Sequence, residues 1–417
     1  MAPFFLRRLI KRGGYKAHFY QRFGFFSPSE QQRLEAHSWT WIRSISVGET
    51  IVALKLAKAL RRENPSIQIA LSVTTSTGFE VAEAEASEWL FVFYNPVDFQ
   101  GVVRRVMELL NPRKLILIEG EIWPNLMSAC AENHVPVMIA NARLSPRSAR
   151  RFAKFQAWTS PFFEMLSWVG IPDEGDRPRW ESIGVPKERI HLTGSIKFDL
   201  VGSGTDRKDA FVRLLEQSGM GPQEPLLIAG STHDGEEEIL VRALKTWRKK
   251  NPFLRMLVAP RHVERVSEIL RTLSPLGVKI IRRTSLPSSE PWDVILLDTT
   301  GELRAWYHLS TVVFIGKSLT ATGGQNPVEP ALCGKPVVFG PHMENFESIV
   351  HLLLARDGAL QANSIAHMEQ LIDELLCDSD RRQKLGENAE TGLAVHQGST
   401  QRTAELVQRT PSQHGRT

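Results

Sequence analysis

Along this chain the apolar positions switch repeatedly between two rhythms. Trp41-Ile42-Arg43-Ser44-Ile45-Ser46-Val47 is a short run rich in branched and aromatic residues, which predicts a strand. The next stretch, from Glu49 to Arg62, repeats its apolar residues at helical spacing and stops before Pro65, which predicts a helix. The pair returns as a strand over 67–73 and a helix over 78–88, and further strands are expected at 90–93, 114–118, 135–140 and 191–194. Val201-Gly202-Ser203-Gly204-Thr205-Asp206 then breaks the rhythm with flexible residues, the best place for a domain boundary. Beyond it strands are expected at 225–230, 253–259, 278–281, 294–297, 311–315 and 335–339. Strands alternating with helices predict parallel sheets wrapped on both faces. The expected architecture is therefore α/β, with two doubly wound domains of similar size over 27–200 and 207–408, and the crevice between them is the expected ligand site.

Composition agrees with that picture. The 417 residues exceed what one core organises, and 42% apolar with 23% charged residues excludes a disordered or fibrous chain. Cys130, Cys333 and Cys377 are far apart, so neither a disulfide framework nor a cysteine metal site is expected, and a reducing compartment fits. The net charge of +5 is concentrated at the start, in Arg7, Arg8, Lys11, Arg12, Lys16 and Arg22, interleaved with Phe4, Phe5, Leu6, Leu9, Ile10, Phe19, Phe23, Phe25 and Phe26. Cations mixed with aromatics suit the headgroup layer of an anionic membrane better than a nucleic acid. No run approaches the ~20 apolar residues of a spanning helix, and the start lacks a signal peptide's apolar core. Residues 1–26 are thus read as a docking arm on a chain that stays in the cytoplasm.

Several clusters carry chemistry. Ser46-Val47-Gly48-Glu49 has the spacing of a capping box, yet it also places a carboxylate at the end of the first strand, where open α/β sheets bind ligands. Glu119 and Glu121 follow an apolar strand into Ile122-Trp123-Pro124-Asn125. Carboxylates at such a place are paired, bonded or shifted in pKa, and are common in active sites. Gly316 to Glu329 forms a glycine-rich turn ahead of a helix, expected to offer backbone N–H groups to phosphate, with Glu329 able to accept from ribose hydroxyls. Arg261 and Lys197 each follow a strand and suit a phosphate or sugar carboxylate. The histidines show no metal-ligand spacing, so no metal and no bound cofactor are expected.

In order, S-x-S-V-G-E at Ser44–Glu49, E-x-E-I-W-P-N at Glu119–Asn125, N-A-R-L-S at Asn141–Ser145 and G-S-x-K-F-D at Gly194–Asp199 resemble motifs of the 3-deoxy-D-manno-octulosonic acid (Kdo) transferases. So do S-T-H-x-G-E-E at Ser231–Glu237, P-R-H at Pro260–His262, D-T-x-G-E-L at Asp298–Leu303, G-G-x-N-P-x-E at Gly323–Glu329 and G-P-H-x-x-N-F at Gly340–Phe346. The resemblance implies a GT-B fold of two Rossmann-like domains, CMP-Kdo as donor, a lipid A precursor of the lipid IVA type as acceptor, and peripheral attachment to the cytoplasmic face of the bacterial inner membrane. It implies Glu49 as general base, with Glu119 and Lys197 steadying the transition state. CMP would be held by Pro260 and Arg261, by Gly301, Glu302 and Leu303, and by Asn326, Pro327, Val328 and Glu329. Three positions depart from the family pattern: Arg43 and Gln325 stand where His is usual, and Lys317 where Gly is. The alternative is another GT-B nucleotide-sugar transferase or a nucleotide-sugar epimerase, since a glycine-rich loop with a Glu is widely shared.

Overall fold

The computed structural model describes residues 18–199 and 207–412. The chain forms two compact units, Met1–Asp199 with Val395–Thr417, and Leu200–Ala394. In the first, the strands are β1 (Trp39–Ser44), β2 (Ile69–Val73), β3 (Leu90–Tyr94), β4 (Pro112–Ile118), β5 (Val137–Ala140), β6 (Leu166–Ile171) and β7 (Ile190–Leu192). All pair in parallel, in the order β3-β2-β1-β4-β5-β6-β7. β1, β2, β3 and β5 are buried along their whole length, because helices cover both faces of a parallel sheet. That is why β3 and β5 stand out in the sequence as unbroken apolar runs, and β1 and β2 as mostly apolar ones. The winding reverses between β1 and β4, so the loops leaving those two strands diverge and leave a crevice at their carboxyl ends.

The second unit repeats the plan with β8 (Leu226–Thr232), β9 (Arg255–Pro260), β10 (Ile280–Arg282), β11 (Val294–Leu296), β12 (Val312–Ile315), β13 (Val337–Phe339) and β14 (Leu360–Gln361). Their order is β10-β11-β9-β8-β12-β13-β14, again all parallel. Here the reversal falls between β8 and β12. Two packed, wholly parallel sheets with flanking helices make a GT-B architecture.

Three features differ from expectation. β6 and β14 are additional strands. The second domain does not run on to 408: the helix Ser399–Arg409 belongs to the first unit and buries Ala404 and Val407 in its core beside Val52, Leu56 and Leu60 of the helix Val47–Glu63. The stretch expected as a docking arm is also not all free of the core. Residues 1–17 lie outside the described residues, but beyond them Gln21 and Arg22 are buried and Phe26 packs on Phe91 and Phe93 at ring distances of 6.4 and 5.9 Å. The aromatic residues at 19–26 serve partly to build the core, which an alternating basic and apolar pattern does not reveal.

Candidate active site

β1 ends at Ser44, and the chain turns through Ile45 and Ser46 into the helix Val47–Glu63. Ser46 Oγ accepts the Glu49 N–H at 3.3 Å, while the hydroxyl donates to Glu49 Oε1 at 3.0 Å. Ile45 N–H donates to Oε2 at 2.9 Å. The cap is therefore real, though the carboxylate returns to the N–H of Ile45, one residue earlier than in a regular capping box. These bonds fix the Glu49 carboxylate at the crevice. A helix N-terminus and two donors lower a carboxylate's pKa. Here the opposing effects win: burial above all, then the charge of Glu119 and a further contribution from Glu121, push Glu49 up to about 7.

Glu119 stands at the tip of β4, the neighbour of β1, with Arg43 opposite Leu117 in the register. Its backbone is left-handed, φ 62°, held by its N–H to Ala140 O at 3.0 Å and by Arg143 N–H to its own carbonyl at 2.9 Å. A residue with a Cβ gives up roughly 1–2 kcal/mol in that conformation, and such strain concentrates at functional sites. The loop after β7 brings in Lys197: a Cβ added to Gly48 would lie 3.8 Å from Lys197 Nζ. Glu49, Glu119 and Lys197 thus meet at the switch point of the first sheet.

Residues assigned no role from the sequence, some of them inside the quoted motifs, hold this arrangement. Asn141 Oδ1 accepts from Ser195 Oγ at 3.1 Å and Ile196 N–H at 3.0 Å. Lys55 Nζ donates to Ile196 O at 3.2 Å and Asp199 O at 3.1 Å. From the returning segment, His396 Nδ1 accepts Ser195 N–H at 3.1 Å, and the Asp199 carboxylate accepts Gly398 and Thr400 N–H at 2.9 and 2.7 Å. Asp98 caps the helix Pro124–Glu132 by accepting Asn125 and Leu126 N–H at 3.0 and 2.9 Å. Each partner is distant in sequence, so no local pattern announces it.

In the second unit, Pro260 ends β9 and Arg261 follows it; Arg261 N–H donates to Thr232 O at 3.0 Å and the residue is exposed. Gly301, φ 76°, makes the turn before Leu303 opens the helix Leu303–Tyr307. Glu302 between them is already paired, accepting from Arg283 Nε at 3.0 Å and Thr299 Oγ1 at 2.9 Å. Asn326 Oδ1 accepts Val328 N–H at 3.0 Å, Pro327 and Val328 are buried, and burial raises the pKa of Glu329 against the pull of Arg304.

The glycine-rich turn is not the open cradle of amides expected from its sequence. Fully buried Glu236 accepts the N–H groups of Lys317, Ser318 and Leu319 at 2.7, 3.0 and 3.0 Å, and that of His233 at 2.9 Å. Gly323 N–H goes to Glu344 Oε2 at 2.6 Å and Gly324 N–H to Lys317 O at 3.1 Å. An internal carboxylate has taken the place that a phosphate was expected to fill. The cation nearest the turn is Lys317, itself left-handed at φ 56°, with Nζ 3.6 Å from where a Gly323 Cβ would stand. Gln325 Nε2 lies 3.4 Å from His233 Nε2, whose ring meets His262 edge-on at 5.9 Å. Among the described residues no three His, Cys, Asp or Glu side chains group to hold a metal ion.

A relative from Haemophilus influenzae, a 3-deoxy-D-manno-octulosonic acid transferase, is 33% identical over 403 residues, covering 95% of this chain and 92% of its own. The chain belongs to the Kdo transferase family. This transferase also matches the family profile for 3-deoxy-D-manno-octulosonic-acid transferase (kdotransferase) over residues 17–200. A Bordetella pertussis relative of the same description is 31% identical over 379 residues, 88% of this chain and 86% of that one. Among solved structures, UDP-GlcNAc 2-epimerase from Neisseria meningitidis superposes with a TM-score of 0.52 over 89% of this transferase and 100% of its own chain. At 13% identity that likeness concerns the fold alone. The transferase is a glycosyltransferase that moves Kdo in lipopolysaccharide synthesis.

Proposed function

We propose that the enzyme transfers Kdo from CMP-Kdo to a hydroxyl of a lipid A precursor, with Glu49 as general base and no metal ion. The observation that carries this reading is the pKa of Glu49, pushed up to about 7 while its carboxylate is held by Ser46 and Ile45. An acceptor alcohol attacks poorly until its proton is taken, and a base poised near working pH gives typically ~10²–10⁴-fold. The alcohol oxygen bonds to the anomeric carbon of Kdo, the bond from that carbon to the CMP phosphate breaks, CMP leaves with the electron pair, and the proton passes to Glu49. Glu119, one of the causes of the shift, keeps Glu49 basic, and Lys197 offers a fixed cation to charge developing in the transition state. Arg261 is the cation for the CMP phosphate, while Glu329, Asn326, Pro327, Val328 and the Pro260, Gly301, Glu302, Leu303 segments frame the nucleotide.

The acceptor is a lipid, so the enzyme works at a surface, read here as the cytoplasmic face of the inner membrane. No helix among the described residues is long and apolar enough to cross a membrane. The helix Pro146–Lys154 exposes Arg147, Arg150, Arg151 and Lys154, followed by Phe155 and Trp158, which are 53% and 81% exposed. Cations beside bare aromatics match anionic headgroups, and the sequence at the start of the chain has the same mixture of residues.

The test is to incubate the full chain with CMP-Kdo and a tetra-acylated lipid A precursor, with and without EDTA, and to weigh the lipid product. A mass increase of one or more Kdo units, unaffected by EDTA, is expected. Absence of product with this donor sinks the reading, and activity lost to EDTA and restored by Mg²⁺ sinks its metal-free part.

A further inference from the structure

Arg43 is the penultimate residue of β1 and only 4% exposed. Its guanidinium sits 5.0 Å over the ring of Trp123, directly behind the tips of β1 and β4. A guanidinium carries five N–H donors, yet among the described residues this one makes no side-chain hydrogen bond and no ion pair, and Nε is both sealed and without a partner there. Burial draws its pKa down to about 10, opposed by the charges of Glu121 and Asp98 and reinforced by Arg22. Those two carboxylates act on it through space, and neither forms a hydrogen bond or ion pair with it among the described residues. Asp98 accepts Asn125 and Leu126 N–H at 3.0 and 2.9 Å, and Glu121 accepts Trp123 Nε1–H at 3.1 Å. A buried cation without a bonded partner is destabilising, and an apolar side chain of similar size would serve the fold better. An arginine at this buried place, within reach of the charges of Glu121 and Asp98, calls for a ligand that completes it.

We propose that Arg43 is the seat of a substrate oxyanion, its guanidinium meeting a phosphate or carboxylate of the bound substrate through paired N–H donors beneath Glu119 and Glu121. Planar, bidentate recognition of such groups is what arginine does best. Resting on the function proposed above, two sources supply the group: a phosphate on the acceptor's sugars, or the carboxylate of the donor's Kdo. A role in folding alone predicts the opposite behaviour of the apo protein, which makes the two separable.

The experiment compares wild type with Arg43→Met and Arg43→Lys by calorimetric titration, independently of turnover. The probes are a detergent-dispersed, phosphorylated glucosamine disaccharide lipid, the same lipid after phosphatase treatment, and CMP-Kdo. Arg43→Met is expected to weaken binding of the phosphorylated lipid about 10–100-fold, the range of a charge-assisted pair, and that of the dephosphorylated lipid less than twofold. Arg43→Lys, which keeps the charge, recovers part of the loss and guards against misfolding of the first variant. The apo Arg43→Met protein is expected to melt at a higher temperature than wild type. Loss confined to CMP-Kdo would assign the oxyanion to the Kdo carboxylate and sustain the proposal. Unchanged affinity for all three probes, or a lower melting temperature with equal loss on both lipids, would overturn it. Wild-type protein that binds as described but makes no product would instead count against the proposed reaction.

Discussion

At the scale of single residues the proposed reaction turns on the proton affinity of Glu49. A general base works only when ionised, so the rate should rise with pH through an apparent pKa near 7, the value to which burial and Glu119 lift the carboxyl. In Glu119→Gln the remaining activity should titrate at lower pH, because one like charge has gone; an unmoved profile would separate the two carboxylates. Glu49→Gln should lose at least ~10²-fold in turnover. The stability sign follows from the same shift. The folded carboxyl holds its proton above the ordinary value of 4.5, so this group's contribution is complete below about 4.5 and lost as pH rises through about 7. The melting-temperature gain of Glu49→Gln over wild type should therefore be larger at pH 8 than at pH 5. The position of Glu49 is legible in the sequence because a cap is local. Its basicity is not, since Glu119 comes from a strand on the far side of two others in chain order.

At the scale of elements the strands of the two sheets are largely legible, because a strand buried on both faces cannot hide its apolar run. β6 escapes: Leu166-Ser-Trp-Val-Gly-Ile follows directly on the helix Gln156–Glu164 and contains a glycine, whose added Cβ would stand 3.0 Å from Thr193 Oγ1. The glycine-rich turn is legible as a turn, but the internal acceptor of its first amides is not. Its first amides are claimed by Glu236, which belongs to the helix Glu236–Trp247 and reaches across from the end of β8 to the end of β12. Glu236→Ala would leave those N–H groups without acceptors, at about 1–3 kcal/mol for each one that stays buried. The expected result is a marked fall in melting temperature together with weaker CMP binding by calorimetry. Full CMP affinity in a destabilised variant would detach the turn from the nucleotide.

At the scale of the whole molecule, attachment to a membrane should be electrostatic with an apolar remainder. Each cation near an anionic surface contributes about 1 kcal/mol, screened by salt, while inserted aromatics are insensitive to salt. Reversing Arg147, Arg150, Arg151 and Lys154 to Glu should cut sedimentation with anionic vesicles at low salt, and Trp158→Ser should lower what remains at high salt. Binding untouched by both would move the docking surface elsewhere, with the start of the chain the next place to cut. The division of the chain is the feature least legible in the sequence, because the helix Ser399–Arg409 follows the second unit without a break in composition and declares its allegiance through tertiary contacts, among them Ala404, Val407, the bond of His396 and those of Asp199. A chain ended at Ala394 should leave the first unit poorly folded and Lys197 unbraced, seen as loss of its melting transition with that of the second unit preserved.

That return of the chain also governs its birth. A ribosome delivers the amino-terminal part first, and most multidomain proteins use the delay to finish that part early. Here the second unit is one uninterrupted stretch, Leu200–Ala394, and is ready to close as soon as it emerges, whereas the first lacks the helix Ser399–Arg409 until that later stretch has been made. The later-made unit should mature before the earlier one, and the half that carries Glu49 should acquire its working shape only once that helix has emerged.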